Sequence, residues 1–191
     1  NKLEIKKEIR FPHSLGLLYS SFTYFAGFKV NSGEYKLMGL APYGKPIFYE
    51  IIKNKLIKIK SDGSFRLNQE YFDYSVGFKM TSKKFNQLFN NKPRNPKKEK
   101  ITQFHMDLAA SIQKVTEEVV IKIVKSLKEE YKIENLCLAG GVALNCVANG
   151  KIIQNKIFKN IWVQPASGDA GGSLGAALAY WHLHLKEKRI V

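Results

Sequence analysis

The chain has 191 residues, 45% of them hydrophobic and 12% aromatic, so we expect a folded protein with a real core. No apolar run reaches the roughly 20 residues of a membrane span. The first residues lack the apolar centre of a signal peptide, so a cytoplasmic protein without a membrane partner is expected. The net charge of +15 comes mainly from lysine, since only 4 of the 31 basic residues are arginines. Arginine is the residue that binds phosphate bidentately, and the chain has few arginines. Nucleic acid is therefore not an expected partner.

The first element of the chain is expected to be a strand followed by a helix. Residues 3–11 alternate between apolar and polar side chains until Pro12 interrupts the pattern. Ser14 is then a favourable N-cap for a helix that closes at Gly27. Its apolar face carries Leu15, Leu18, Phe22 and Phe25.

A second, shorter helix is predicted from about residue 33 to residue 40, and Pro42 stops it. Glu34 and Lys36 are charged residues in a segment that is otherwise made of small and apolar residues. On spacing alone, these two charges favour a solvent-exposed turn of helix over a functional site.

The middle of the chain predicts a hairpin and an aromatic connector. After a helical pattern at 47–52, strands at 56–60 and 64–67 flank the turn signal Asp62-Gly63. The connector at 69–76 combines aromatic side chains with Asp73, and we interpret it either as part of an acceptor pocket or as a lid on the core. A short helix at 81–89 precedes an exposed, lysine-rich loop at 90–100, to which no site is assigned.

The longest predicted element is a helix that Thr102 caps and that runs to about Tyr131. Apolar residues recur along it every three or four positions, as in a helix with one buried face. They are Leu108, Ile112, Val115, Val119, Ile123 and Leu127. We expect this helix to pack beside the sheet that carries the two loops described next.

Two strand–glycine loop–helix units follow, of which the first is the more informative. A strand at 135–139 leads through Gly140–Gly141 into a helix at 142–154. Glycine allows close approach of the backbone to a ligand, and the start of a helix offers free N–H groups and the positive end of its dipole. This geometry suits a phosphate. Cys137 and Cys146 fall in positions that look buried, and we expect them to be reduced core residues.

The second unit begins with a strand at 161–164 and continues into a helix at 171–186. The loop between them contains Asp169, which small residues flank and little would cover. A carboxylate in such a position suits a metal ion better than a core. The inner side of the last helix is expected to carry Leu174, Leu178 and Trp181.

Four segments of the chain carry a family resemblance: 11–19 (FPHSLGLLY), 33–44 (GEYKLMGLAPYG), 138–146 (LAGGVALNC) and 165–172 (PASGDAGG). Together they resemble the NodU/CmcH carbamoyltransferases, which make O-carbamoyl groups on nodulation factors and antibiotics. The resemblance runs from about residue 8 to residue 180. Four motifs in the right order make it specific.

The resemblance implies an α/β fold of the actin/sugar-kinase/Hsp70-like (RNase H-like) nucleotide-binding type. Residues 1–30 would form the edge of its first lobe, and residues 31–191 would form the second lobe with an inserted hairpin and basic loop. It also implies that carbamoyl phosphate and ATP form carbamoyladenylate in a YrdC-like domain. The actin-like domain would then bind this intermediate beside iron or another divalent metal and transfer the carbamoyl group to a hydroxyl of a small-molecule or sugar acceptor.

Matched by position, the family's motifs imply roles for individual residues. Asp169 corresponds to a metal-ligand aspartate, and Asp73 lies in the region near the acceptor. Glu34 and Lys36 lie in a signature that implies a catalytic role, in which Lys36 would help to hold the phosphate of the leaving AMP. The residues that would hold or border the nucleotide are Gly140, Gly141 and Asn145 of the loop, with Ser14 and Gly16 on the opposite lobe.

The chain departs from the family's pattern in what it lacks. In the family the metal also takes two histidines from an upstream His-x-x-x-His helix. Neither that helix, the rest of the N-terminal lobe nor the C-terminal YrdC-like domain is in this sequence. Iron usually needs about three protein ligands, so Asp169 alone is a poor site. We therefore expect a piece of a longer protein that, by itself, neither holds iron tightly nor transfers carbamoyl groups.

Two other interpretations remain open. A tRNA threonylcarbamoyladenosine-forming enzyme or a sugar kinase would share the glycine loop, although residues 35–43 favour the carbamoyltransferases. A basic module could instead bind nucleic acid through residues 79–100. In that case the logarithm of its affinity would fall linearly with the logarithm of the salt concentration.

Overall fold

The structure is a computed structural model that describes residues 4–189. In it, the N-terminal part of the chain packs against one long helix, α5 (Gln103–Tyr131). Thr102 is its N-cap, as the sequence predicts. Neither α5 nor any other helix of the described residues is both long and apolar enough to cross a bilayer. The apolar residues of α5 share one face because they recur every three or four positions. Those with no exposed surface are Leu108, Ala109, Ile112, Val115 and Val119.

The elements that precede α5 are short helices and one hairpin. In chain order they are α1 (Leu15–Phe25), α2 (Glu34–Leu40), α3 (Tyr49–Ile51, continued by a π-helix, Ile52–Leu56), β1 (Ile57–Ile59), β2 (Phe65–Leu67) and α4 (Lys83–Leu88). The hairpin pairs Ile59 with Phe65 in antiparallel register around the predicted Asp62-Gly63 turn. The Ser14 cap and the buried apolar face of α1 are also confirmed.

Aromatic side chains fill the space between α1 and α4. Phe22 and Phe25 of α1 meet Phe85 edge-on, with ring centroids 5.2 Å and 5.0 Å apart. The ring of Phe85 in turn lies 4.9 Å from that of Phe89. All four side chains are buried, so the cluster removes a large apolar area from water. Phe72 of the aromatic connector packs on Phe85, which confirms the lid interpretation for this residue.

The C-terminal part of the chain contains the two predicted strand–loop–helix units. Strands β3 (Asn135–Leu138) and β4 (Asn160–Val163) are parallel. A 3-10 turn (Gly141–Leu144) and α6 (Cys146–Gln154) follow β3, whereas α7 (Gly171–Ala179), continued by a π-helix (Tyr180–His184), follows β4. Of these C-terminal elements, α6 makes the main contact with α5, so the expected packing of α5 beside the strands is indirect.

Helix α7 is exposed on the side that the sequence predicts to be buried. Leu174, Leu178 and Trp181 keep 48%, 47% and 46% of their surface exposed. Periodicity identifies the apolar side of a helix but not the surface that covers it. Among residues 4–189, no part of the chain buries any residue of α7. The prediction that these side chains face a core is therefore wrong for the described part of the protein.

Two further sequence predictions are wrong. Residues 4–11 form no strand, because they are exposed and find no partner strand in the described residues; Leu3 lies outside those residues. Cys137 and Cys146 are exposed free thiols and not core residues. The reason is their place in the fold, since Cys137 is on the outward-facing side of β3 and Cys146 opens α6 at the surface.

One buried arginine anchors the loop at 90–100. Arg94 donates its backbone N–H to Phe25 O at 3.0 Å. Its guanidinium donates to Ala26 O at 2.7 Å and to Glu99 O at 2.9 Å. The last carbonyls of a helix have no partner within it, so Arg94 satisfies groups at the end of α1 that would otherwise be unpaired. The prediction of a wholly exposed loop is wrong at this residue, which is 9% exposed.

Replacing Arg94 with alanine keeps the backbone hydrogen bond to Phe25 O but removes the guanidinium donors from Ala26 O and Glu99 O, and Ala26 is fully buried. We expect the free energy of unfolding, measured by urea denaturation, to fall by about 3 kcal/mol. Arg10→Ala is the matched control, because the Arg10 side chain is 85% exposed. The control should change stability by less than about 0.5 kcal/mol. Equal losses in the two variants would contradict the anchoring role of Arg94.

A carboxylate on α5 holds α3 and the following π-helix in place. Glu118 forms ion pairs with Lys122 at 2.7 Å and Lys53 at 3.1 Å. It also accepts a hydrogen bond from the Tyr49 hydroxyl. Partial burial opposes ionisation of Glu118, but its three hydrogen-bond donors together outweigh burial and lower the pKa of the carboxyl to about 2.

The Glu118 contacts should stabilise the fold at neutral pH and be lost in acid. The carboxyl has a folded pKa of about 2 and an ordinary pKa of 4.5, so the unfolded state takes up the proton first as the pH falls. We expect Glu118→Gln to cost about 1–2 kcal/mol at pH 7, a figure discounted for solvent screening. The cost should shrink between pH 4.5 and about pH 2. Urea titrations across this range measure it, and a pH-independent cost would exclude the ion pairs as its cause.

Candidate functional site

Two glycine loops meet at one edge of the parallel strand pair. Leu138 pairs with Val163 at the ends of β3 and β4, so the chain leaves both strands on the same side. Just beyond the strands, the Gly140 N–H donates to Ser167 O at 2.7 Å. The loop after β3 and the loop after β4 are therefore held side by side, as one ligand would require.

Gly140 and Gly141 leave the first loop uncovered. Gly140 has φ 96° and ψ 165°, a region that is essentially restricted to glycine. A Cβ atom at either glycine would meet no atom within 4 Å, so both face open space in the described part of the chain. A ligand can approach this backbone without displacing a side chain.

The first two N–H groups of the 3-10 turn have no acceptor within the turn. The Ala143 N–H donates to Gly140 O at 3.0 Å, and the Asn145 N–H donates to Val142 O at 3.0 Å. The N–H groups of Gly141 and Val142 stand at the start of the turn, where no earlier helical carbonyl can accept from them. These two groups are the candidate donors to an anion.

Asp169 lies in the second loop, between Ser167 and the start of α7. Its side chain is exposed, and within residues 4–189 its carboxylate has no hydrogen bond or ion pair. Those residues bring no three His, Cys, Asp or Glu side chains together as a metal site. Because iron usually takes about three protein ligands, the side chains present do not fit iron, although Asp169 can supply one oxygen ligand.

Asn145 shapes the loop through hydrogen bonds of both of its polar side-chain atoms. It is the N-cap of α6, and its Oδ1 accepts from the Ala148 N–H at 3.0 Å. Its amide also pairs with Gln113, donating from Nδ2 at 3.0 Å and accepting at Oδ1 at 3.2 Å. With 9% exposure and both polar atoms engaged, Asn145 fixes where the loop ends.

The start of α1 faces the glycine loop. Ser14 Oγ accepts from the Leu17 N–H at 3.2 Å and caps the helix. A Cβ atom added to Gly16 would lie 3.5 Å from Val142 Cγ2, in ordinary contact. The structure therefore brings Ser14 and Gly16 beside the loop that holds Gly140 and Gly141.

Helix α2 lies against the start of α6, where Met38 Sδ is 3.9 Å from Cys146 Sγ. Glu34 at its N-terminus accepts from the Ser20 hydroxyl at 2.8 Å and from the Asn31 N–H at 3.0 Å. Its second carboxylate oxygen accepts from the Gly33 N–H. Glu34 is thus occupied in fixing the start of α2, while Lys36 remains exposed.

Asp73 is not brought to the glycine loops by any contact of the described residues. It opens a turn in which its carbonyl accepts from the Gly77 N–H at 2.7 Å. The neighbouring Tyr74 donates its hydroxyl to Pro12 O at 2.9 Å. The connector therefore lies beside the segment that leads into α1.

A buried amide that sequence reasoning missed connects these parts. Gln113 of α5 is 4% exposed, and its Oε1 accepts from the Tyr19 hydroxyl at 3.1 Å as well as from Asn145. The sequence does give one signal for the burial of Gln113, because this polar residue falls in the buried stripe of α5, four positions after Ala109 and three before Thr116. The sequence gives no local signal for the pairing of Gln113 with Asn145, which is 32 positions away.

Comparison with known proteins places these features in a family context. A family model described as Carbamoyltransferase N-terminus matches residues 1–178. An uncharacterized protein of Synechocystis sp. is 59% identical over 191 residues, which are 100% of this chain and 31% of that protein. The nodulation protein NolNO of Sinorhizobium fredii is 38% identical over 177 residues, 92% of this chain and 24% of that protein. The nodulation protein NolO of Bradyrhizobium diazoefficiens is 35% identical over 176 residues, 91% of this chain and 30% of that protein. The chain thus spans less than a third of the length of these relatives.

The conformation of Gly140 predicts a clear stability difference between two glycines. Gly140→Ala forces an L-residue into a glycine-only region and should cost about 1–3 kcal/mol of unfolding free energy. Gly150→Ala is the control, because Gly150 lies inside α6 with nothing within 4 Å of an added Cβ. The control should gain up to about 1 kcal/mol from helix propensity. Urea unfolding measures both, and equal effects would show that Gly140 is not restricted by its backbone.

Proposed function

Because the chain belongs to the carbamoyltransferase family, we propose that it supplies the adenylate-holding part of an enzyme that transfers a carbamoyl group. In this proposal carbamoyl phosphate, water and ATP give carbamoyladenylate, and inorganic phosphate and pyrophosphate are released. The carbamoyl carbon is then attacked by a hydroxyl of a small-molecule or sugar acceptor, and AMP leaves. Since the chain spans less than a third of its relatives' length, we assign formation of carbamoyladenylate to the remainder of such a protein.

The hydrogen bond from Gly140 N to Ser167 O at 2.7 Å is the observation that carries this proposal. It joins two loops that leave the same edge of parallel strands, which is where ligands of α/β proteins bind. Around it lie a glycine backbone facing open space and the unengaged carboxylate of Asp169. An adenylate offers the phosphate that such a backbone can hold.

For the fold, we propose the actin-like (RNase H-like) nucleotide-binding architecture that the family resemblance implies. The parallel pairing of β3 with β4 and the alternation of strand and helix after α5 are compatible with it. In this architecture the start of α1, with Ser14 and Gly16, borders the nucleotide. The contact of Gly16 with Val142 supports that role.

Carbamoyl transfer passes through a tetrahedral centre whose oxygen gains negative charge, so fixed positive groups nearby lower the barrier. The N–H groups of Gly141 and Val142 would hold the phosphate of the leaving AMP, and exposed Lys36 on α2 would add positive charge. A divalent metal would add Lewis-acid stabilisation when bound. Asp169 would be one of its ligands. The described residues do not complete such a site, so no step is assigned to the metal.

Glu34 and Asp73 enter the proposal in different ways. Glu34 acts through its position, because its three hydrogen bonds fix the start of α2 and thereby the location of Lys36. Asp73 is proposed as an acceptor contact on the family resemblance. Its connector approaches α1 through the Tyr74–Pro12 hydrogen bond.

Replacing Gly141 with alanine tests the adenylate site without disturbing the fold. An added Cβ meets no protein atom within 4 Å, so stability should be unchanged, but it would stand where the phosphate approaches. We expect the affinity of the complete protein for AMP, measured by calorimetry, to fall about tenfold, which corresponds to about 1.4 kcal/mol. Gly150→Ala, made in α6 away from the loop, should bind AMP as the unchanged protein does.

Two results would count against the proposed function. The first is an unchanged complete protein that neither binds AMP nor releases AMP from ATP in the presence of carbamoyl phosphate. The second is a Gly141→Ala variant that binds AMP with unaltered affinity, which would move the nucleotide away from this loop.

A further inference from the structure

The side-chain amide of Gln113 has every polar atom engaged inside the protein. Its Oε1 accepts from the Tyr19 hydroxyl at 3.1 Å and from Asn145 Nδ2 at 3.0 Å. Its Nε2 donates to Asn145 Oδ1 at 3.2 Å and to Glu117 Oε1 at 2.9 Å. Such a buried amide cannot rotate without breaking several hydrogen bonds in a medium of low dielectric constant. Its orientation is therefore fixed.

On one side, Gln113 sets the end of the glycine loop. Asn145 pairs with it through both polar atoms, and the same Oδ1 caps α6 by accepting from the Ala148 N–H at 3.0 Å. The Asn145 N–H closes the 3-10 turn on Val142 O. Rotation of the Asn145 side chain would release the cap of α6 at the residue where the turn ends, so Gln113 holds the end of the loop through Asn145.

On the other side, Gln113 holds α1. Tyr19 is 6% exposed and lies one helical turn after Gly16, which contacts Val142. Burial, with a further contribution from the Glu34 and Glu117 carboxylates, raises the pKa of the Tyr19 phenol. The phenol therefore stays protonated and donates to Gln113 throughout the neutral range.

We propose that Gln113 is a positioning residue of the adenylate site, which fixes the glycine loop relative to the start of α1 by bonding Asn145 and Tyr19 at once. The inference rests on the proposed function for the identity of the ligand. A loop already held in its binding conformation loses less freedom when the ligand arrives, so it binds more tightly. Loss of Gln113 weakens adenylate binding although Gln113 does not touch the adenylate.

The test compares two buried positions of α5 in the complete protein. Gln113→Met keeps an unbranched side chain of similar volume and removes both hydrogen-bonding groups. Thr116→Val is the matched control, because Thr116 is 1% exposed and its hydroxyl bonds to Ile112 O at 2.9 Å within the same helix. Both variants delete a buried polar group, but only Gln113→Met breaks the link to the loop.

Affinity for AMP is measured by calorimetry, and exchange of the Ala148 amide by NMR. We expect Gln113→Met to bind AMP at least tenfold more weakly and its Ala148 amide to exchange at least tenfold faster. Thr116→Val should differ from the unchanged protein less than twofold in both. An AMP affinity of Gln113→Met within twofold of the unchanged protein overturns the inference, as does an equal loss in Thr116→Val.

Failure of the proposed function gives a different result. If the unchanged protein does not bind AMP, the identity of the ligand is wrong, and Ala148 exchange alone decides whether Gln113 positions the loop. If Gln113→Met does not fold, Tyr19→Phe takes its place, since it removes only the hydroxyl that Gln113 accepts. We expect about threefold weaker AMP binding from Tyr19→Phe, and unaltered binding overturns the inference.

Discussion

The register of the parallel strands β3 and β4 decides where the candidate site forms. Because Leu138 pairs with Val163, both glycine loops begin at the same level and on the same edge. The hydrogen bond between Gly140 and Ser167 then holds one loop against the other. A shift of the register by one residue would turn the side chains of one strand to the opposite face and separate the loops. The observed register therefore brings the loop with the open glycine backbone beside the loop that contains Asp169.

Helix α5 serves both the core and this edge. Its apolar stripe packs under α1 and α2, while Gln113, within the same buried surface, reaches Asn145 at the end of the loop. Polar side chains around the site are thus divided into two kinds. Asn145 and Glu34 form hydrogen bonds within the protein, whereas Lys36 and Asp169 are exposed.

Local signals in the sequence predicted most of the secondary structure. The Ser14 cap, the Asp62-Gly63 turn and the stripe of α5 are each set by residues a few positions apart, and each was found. Contacts between distant residues were not found, because no local pattern encodes them. In the sequence, Arg94 is one of several charges in a basic loop, and its role depends on the distant α1. Gln113 is a polar residue in a helix, and its role depends on the distant Asn145.

The uncovered apolar side of α7 affects the local stability of the C-terminal part of the chain. Leu174, Leu178 and Trp181 keep much of their contact with water, so this part gains less from apolar burial than the core around α5. Segments with few buried apolar contacts open locally at lower free energy than a core does. A ligand that contacted both glycine loops at once would stabilise this part of the chain, because it would bind only while the two loops are held together. Such a ligand would then contribute to the folding stability of this part of the protein.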